Sequence, residues 1–198
     1  MFINPAVFKK LIKNSYSAEG LTVGATEEEI FFAGAFWVIR VYKEAIPKKI
    51  KAAVIELIGD LPVTGEVILY HKKSEPQYEI AENEYWNITE NFAKAQIPLN
   101  VTKIQYAGGW EDIRILQEET TKKCIAIKNI IWDLIDASAL EKFEGAPKGP
   151  VEEYIDTGLI FWQNETTTLA VCRINMRETE ELNAFMNHME LQLLPALK

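Results

Sequence analysis

The side chains able to do chemistry are few and far apart. There are two histidines, His71 and His188, and neither has a Cys or carboxylate at metal-ligand spacing. Each is expected to be an ordinary surface histidine. Glu27-Glu28-Glu29 puts three carboxylates in a row. In extended backbone their side chains alternate in direction, so the run reads as a solvated turn and not as a cation site. Asp133 and Asp136 share a helical face, which an exposed acidic surface accounts for. No Gly-x-x-x-x-Gly-Lys-Ser/Thr phosphate loop occurs, and no Gly-x-Ser-x-Gly elbow. No catalytic residue, metal ligand or cofactor is expected, and the chain is not read as an enzyme.

The lysines carry more information. Lys48, Lys49 and Lys51 open a helix, where the macrodipole disfavours cations by roughly 0.3 kcal/mol or more each. Lys9, Lys10 and Lys13 lie outside the apolar face of another helix. Such a surface suits an anionic partner, because phosphates ask for charge and not for base-reading geometry. An ordinary solvated face is the competing reading. The charge is lopsided: residues 1–73 carry 10 Lys+Arg against 8 Asp+Glu, and residues 74–198 carry 11 against 21. On the acidic side, Asp133, Asp136, Glu178, Glu180, Glu181 and Glu190 fall on the later helices, so a uniformly basic channel is not expected. Phe31, Phe32, Phe36, Trp37, Phe161 and Trp162 have the chemistry to stack on bases, but their place in strand patterns assigns them to the core.

The elements that must position these residues follow from periodicity. At 198 residues with 48% hydrophobic and 25% charged residues, the chain is ordinary globular material that needs no staples. Asn4 and Pro5 begin a helix whose face is Val7, Phe8, Leu11 and Ile12. Strands are expected at Leu21–Ala25, Glu29–Ala33 and Trp37–Tyr42, then a helix over Lys48–Ile58 ended by Gly59. Further strands are expected at Val67–Lys72, Gln77–Ala81 and Tyr85–Thr89. Residues 90–112 give no clear pattern, and a boundary is placed there, dividing the chain at about 1–100 and 101–198. Beyond it come a strand at Lys123–Ala126, a helix at Lys128–Ser138, a loop at 145–150, strands at Leu159–Gln163 and Thr168–Ile174, and a last helix from Glu178 to Leu194. The start, Met1-Phe2-Ile3-Asn4-Pro5, has no leader pattern, and no apolar run approaches the ~20 residues needed to span a bilayer. A cytoplasmic protein with no membrane partner is therefore expected. Cys124 and Cys172 lie in apolar runs and read as buried thiols, with one bridge left open.

Slid along itself, the chain sets Val7-Phe8 on Ile130-Ile131, Leu11-Ile12 on Leu134-Ile135 and Ser15 on Ser138. Ile30-Phe31-Phe32 matches Ile160-Phe161-Trp162, and Val38-Ile39-Arg40-Val41 matches Val171-Cys172-Arg173-Ile174. The order strand, helix, strands, helix thus occurs twice. The strand pair Ile30–Val41, the Ile46-Pro47 entry to a helix, its Leu61-Pro62 exit and the new sheet at Gly65–Tyr70 resemble DNA sliding clamps of the bacterial β-clamp type. Residues 1–90 carry most of the likeness, and 120–192 a looser one. The resemblance implies an α+β fold of duplicated units, with antiparallel sheets and helices on one face. It implies a processivity factor or scaffold that holds replication proteins on duplex DNA, without chemistry of its own. Lys9, Lys10, Lys13, Lys48, Lys49 and Lys51 would then face DNA phosphates, independently of sequence. The chain is short for a clamp subunit, so a monomer or dimer is expected rather than a closed ring. The other reading is a protein–protein interaction module of clamp-like or other α+β fold without DNA binding.

Overall fold

A computed structural model of the chain describes residues 1–79, 88–108, 111–140, 144–153, 158–174, 184–187 and 189–195. Helix α1 (Pro5–Ser17) starts where Asn4 Oδ1 accepts the amides of Ala6 and Val7 at 3.0 and 3.3 Å. Its Phe8, Leu11, Ile12 and Ser15 are buried, as 3.6-residue periodicity requires. Strands β1 (Leu21–Ala25), β2 (Glu29–Gly34) and β3 (Trp37–Tyr42) follow, then α2 (Lys48–Ile58), β4 (Val67–His71) and β5 (Ser74–Glu79). The later elements are α3 (Ile88–Lys94), β6 (Ala95–Gly108), β7 (Glu111–Glu118), β8 (Cys124–Lys128), α4 (Asn129–Leu134), β9 (Lys148–Glu153), β10 (Leu159–Gln163) and β11 (Thr167–Cys172).

The strands form one 11-stranded sheet in the order β5-β4-β1-β2-β3-β11-β10-β9-β6-β7-β8. Every pairing in it is antiparallel. The seam is β3 with β11, in register from Trp37 opposite Val171 to Val41 opposite Thr167. Strand alternation sends neighbouring residues to opposite faces. Phe32, Ile39, Ile160, Trp162 and Leu169 join the main core beneath α1, α2 and α4. Phe31, Val38, Phe161 and Ala170 go to the other face, where Ile88 and Phe92 of α3 cover them. Helices therefore occupy both faces, with three on one and α3 on the other, and not one face as the resemblance implied, because Phe31, Val38, Phe161 and Ala170 also need cover. No helix among the described residues is long and apolar enough to cross a membrane.

The α+β class and the antiparallel sheet agree with the sequence, as do β1, β2, β3, α1, α2, β4 and β10 within a residue or so. Elsewhere the chain departs from expectation. Ile88 and Thr89 belong to α3 and not to a strand, and the stretch without pattern holds the long β6 and β7. Residue 100 lies inside β6, which pairs with β9 at one end and β7 along most of its length. The 145–150 loop is partly β9, recruited by β10. Helix α4 stops at Leu134, because Ile135 bridges Ile3 and the Asn4 amide donates to Leu134 O at 2.8 Å. The last helix is largely absent from the described residues: 184–186 form one turn, and Leu193 is extended and bridges Thr102 of β6. Residues 187 and 189–192 are described and are not helical, and 178–183 and 188 lie outside the described residues. Both cysteines are free; Cys124 is buried, while Cys172 is exposed where a buried thiol was expected.

The two hairpins pair alike. Ile30 lies opposite Val41, and Ile160 lies opposite Val171. This register aligns Val41 with Val171, not with Ile174 as the sequence match had it. Phe8, Leu11 and Ile12 are buried in the same core as Ile131, Leu134 and Ile135.

Candidate nucleic-acid interface

Helix α1 is the middle of the three-helix layer, with α2 along one flank and α4 along the other. The six lysines are distributed over this layer. Lys10, Lys13, Lys48, Lys49 and Lys51 are exposed, and Lys9 is partly so. Lys9 and Lys13 turn towards α2, where Lys9 Nζ lies 2.5 Å from Glu56 Oε2 and Lys13 Nζ 4.0 Å from Glu56 Oε1. The Lys9 ammonium, by hydrogen bond and by charge, holds the Glu56 carboxyl below its ordinary range. Exposed pairs of this kind add little stability. Their effect is to blunt the positive field of α1 at that point.

Helix α2 begins differently from α1. Pro47 is its N-cap, and no side chain caps its first turn. Helix starts leave amides without helical partners, so the positive end of the dipole adds to Lys48, Lys49 and Lys51. From Lys48 to Glu56 is roughly 12 Å at 1.5 Å per residue. The basic band thus runs along α2 until Glu56 interrupts it.

Lys10 points the other way, into a groove of about 570 Å³ between α1, the β2–β3 turn and α4. Across it the Lys128 ammonium sits 4.2 Å from the centre of the Phe36 ring. Buried Asn129 forms part of the lining: its Oδ1 accepts from Arg114 Nε at 3.0 Å and its Nδ2 donates to Asp133 Oδ2 at 3.1 Å. Lys10 and Lys128 face Glu19, Asp112 and Asp133 around this groove, so both signs are present. The acidic contribution of α4 is exposed Asp133, while Asp136 is occupied in accepting the Ser138 amide at 2.9 Å. Glu190 is exposed. Glu178, Glu180 and Glu181 lie outside the described residues.

Comparison with family models, with curated proteins and with solved structures returns no match for this chain.

Several of the remaining candidates have structural contacts. His71 Nε2 donates to Ala18 O at 2.9 Å and Nδ1 accepts the Lys73 amide at 3.0 Å, which fixes the β4–β5 turn against the end of α1. His188 lies outside the described residues. Of the three glutamates, Glu27 and Glu28 are exposed and Glu29 pairs with Arg40 across β2 and β3. No group of His, Cys, Asp or Glu among the described residues is arranged to hold a metal. Phe31, Phe32, Trp37, Phe161 and Trp162 are fully packed, which leaves only Phe36 near a surface. Glu56 was not singled out from sequence, because its role depends on α2 lying against α1 and no local spacing encodes that.

Proposed function

We propose that this chain is a clamp-like scaffold that associates with duplex DNA through α1 and α2 and holds a replication protein there, with no chemistry of its own. The observation that carries this reading is the flank-to-flank packing of α1 and α2, which gathers Lys9, Lys10, Lys13, Lys48, Lys49 and Lys51 on one helix layer. An extended lysine surface on an acidic protein has an evident use with a polyanion. Contacts of this kind are sequence-independent and dissolve with salt. The reading includes a cytoplasmic protein, monomeric or dimeric, that needs no cofactor.

A second reading has its own support. Glu56 occupies Lys9 and Lys13, and the groove beside Lys10 presents both signs of charge. Those features suit a protein partner better than phosphates, and point to an interaction module. One titration separates the two. Fluorescence anisotropy of a labelled duplex at low salt should rise on adding the wild type, and log K should fall against log salt with a slope of about −0.9 per phosphate contacted. Exchange of the six lysines for Glu should abolish the signal while circular dichroism stays native. A wild type that leaves the duplex free at low salt makes the chain an interaction module.

A further inference from the structure

The segment 189–194 lies on the sheet as a ligand would. Leu193 bridges Thr102, so the segment pairs with β6 beyond Pro98, where β9 no longer does. The Lys103 amide donates to Gln192 O and the Leu194 amide to Val101 O, both at 2.8 Å. The Gln117 side chain, 4% exposed, completes the hold. Its Nε2 donates to Met189 O at 2.9 Å and its Oε1 accepts the Leu191 amide at 3.4 Å. A buried primary amide that accepts from one backbone amide and donates to a nearby carbonyl reads main chain and is indifferent to side chains. Gln117 Nε2 also donates to Lys122 O at 3.0 Å, a bond that does not depend on the segment, so it is Oε1 that loses its backbone donor when the site is empty. Leu191 packs on the small cluster of Ile113, Ile115, Cys124 and Ala126, and Leu194 on the main core. Met189, Glu190, Gln192 and Leu193 are exposed.

We propose that the β6 edge with Gln117 is a docking site for an extended peptide of a partner protein, and that residues 189–194 fill it in cis. The site specifies a free backbone and two apolar side chains placed as Leu191 and Leu194 are, with any residue between. That is strand addition, in which backbone bonds give affinity and pockets give selectivity. The tethered segment competes at the high effective concentration of an intramolecular ligand, so the partner gains access only as the segment lifts. The inference is independent of DNA binding.

Two measurements test it. In the wild-type chain, amide exchange followed by NMR should release Leu194 and Lys103 at least 100-fold faster than Ile115 and Ala126, since the segment opens without unfolding the sheet. Exchange of all four at one common rate would overturn the proposal. A labelled peptide with the sequence of residues 184–195 should bind the full chain carrying Leu191→Glu and Leu194→Glu at least tenfold more tightly than the wild type. Adding Gln117→Ala to that variant should return at least a tenfold loss. A variant with native near-ultraviolet dichroism that ignores the peptide would make the segment mere packing. Concentration-dependent dimers that disappear with the same two Glu substitutions would assign the site to a second copy of the chain and overturn the partner reading.

Discussion

Ser15 shows what a single side chain contributes. Trp37 Nε1 donates to its Oγ at 3.2 Å inside the core. Gly34 makes the room, for a Cβ there would stand 2.4 Å from Ser15 Oγ and 2.5 Å from Trp37 Nε1. Ser15→Ala should leave a buried indole N–H without a partner and cost about 1–3 kcal/mol, read as a lower urea midpoint with an unchanged slope. Glu56 belongs to the same scale, and its pairing with Lys9 and Lys13 bears on the proposed DNA contact. Glu56→Gln should barely move stability, the pair being exposed, yet strengthen duplex binding several-fold by freeing Lys9 and Lys13. The pH dependence follows from the direction of the shift. Its carboxyl is lowered from 4.5 in the folded protein, so the pair is intact above that value and is lost as pH falls through the lower one. Anisotropy titrations of wild type and Glu56→Gln should therefore differ at neutral pH and converge in acid. Equal affinities at neutral pH would show that Glu56 does not restrain the lysines.

Among elements, α1 and α2 make a natural experiment in capping. Asn4→Ala should cost about 1 kcal/mol, seen as a lower thermal midpoint, whereas α2 has no capping side chain to lose. The contrast also marks what the sequence could tell. Both helices were legible because their periodicity, their Pro entries and Gly59 are local signals. The hairpins were legible because Ile30–Phe32 and Trp37–Val41 are dense in β-branched and aromatic residues. Strand β9 was not, since Lys148-Gly149-Pro150 looks like a loop and becomes strand only because β10 lies beside it. Helix α4 was read too long, its end being set by Ile3 from across the molecule. The C-terminal leucines kept a helical pattern, but backbone pairing with β6 overrides it at Leu193. The same division holds for the site. Lys48, Lys49 and Lys51 could be singled out because they sit against the dipole of α2, while the contacts of Glu56 with Lys9 and of Gln117 with Met189 join neighbours distant in sequence.

At the scale of the whole molecule, the main core is shared by residues from Met1 to Leu169 and beyond, and the sheet crosses from one half to the other at β3 and β11. Unfolding should accordingly be one cooperative transition, with tryptophan fluorescence and far-ultraviolet dichroism giving the same urea midpoint. Two separated transitions would mean that the β3–β11 seam is weak. Ala170→Glu, on β11 at this seam and packed beneath α3, should lower both signals together.

The β3–β11 seam also has a history during synthesis. When Tyr42 leaves the ribosome, its strand partner is still about 125 residues away in the message, a wait of roughly 6–25 s at ordinary elongation rates. For that interval Trp37–Tyr42, apolar and β-prone, has an unsatisfied edge that any other nascent copy can pair with. The yield of soluble protein should therefore fall when initiation is made denser on the same message, and recover when translation is thinned or a strand-shielding chaperone is supplied. Cells that make this protein have a reason to make it sparsely, set by where one strand falls in the order of the chain.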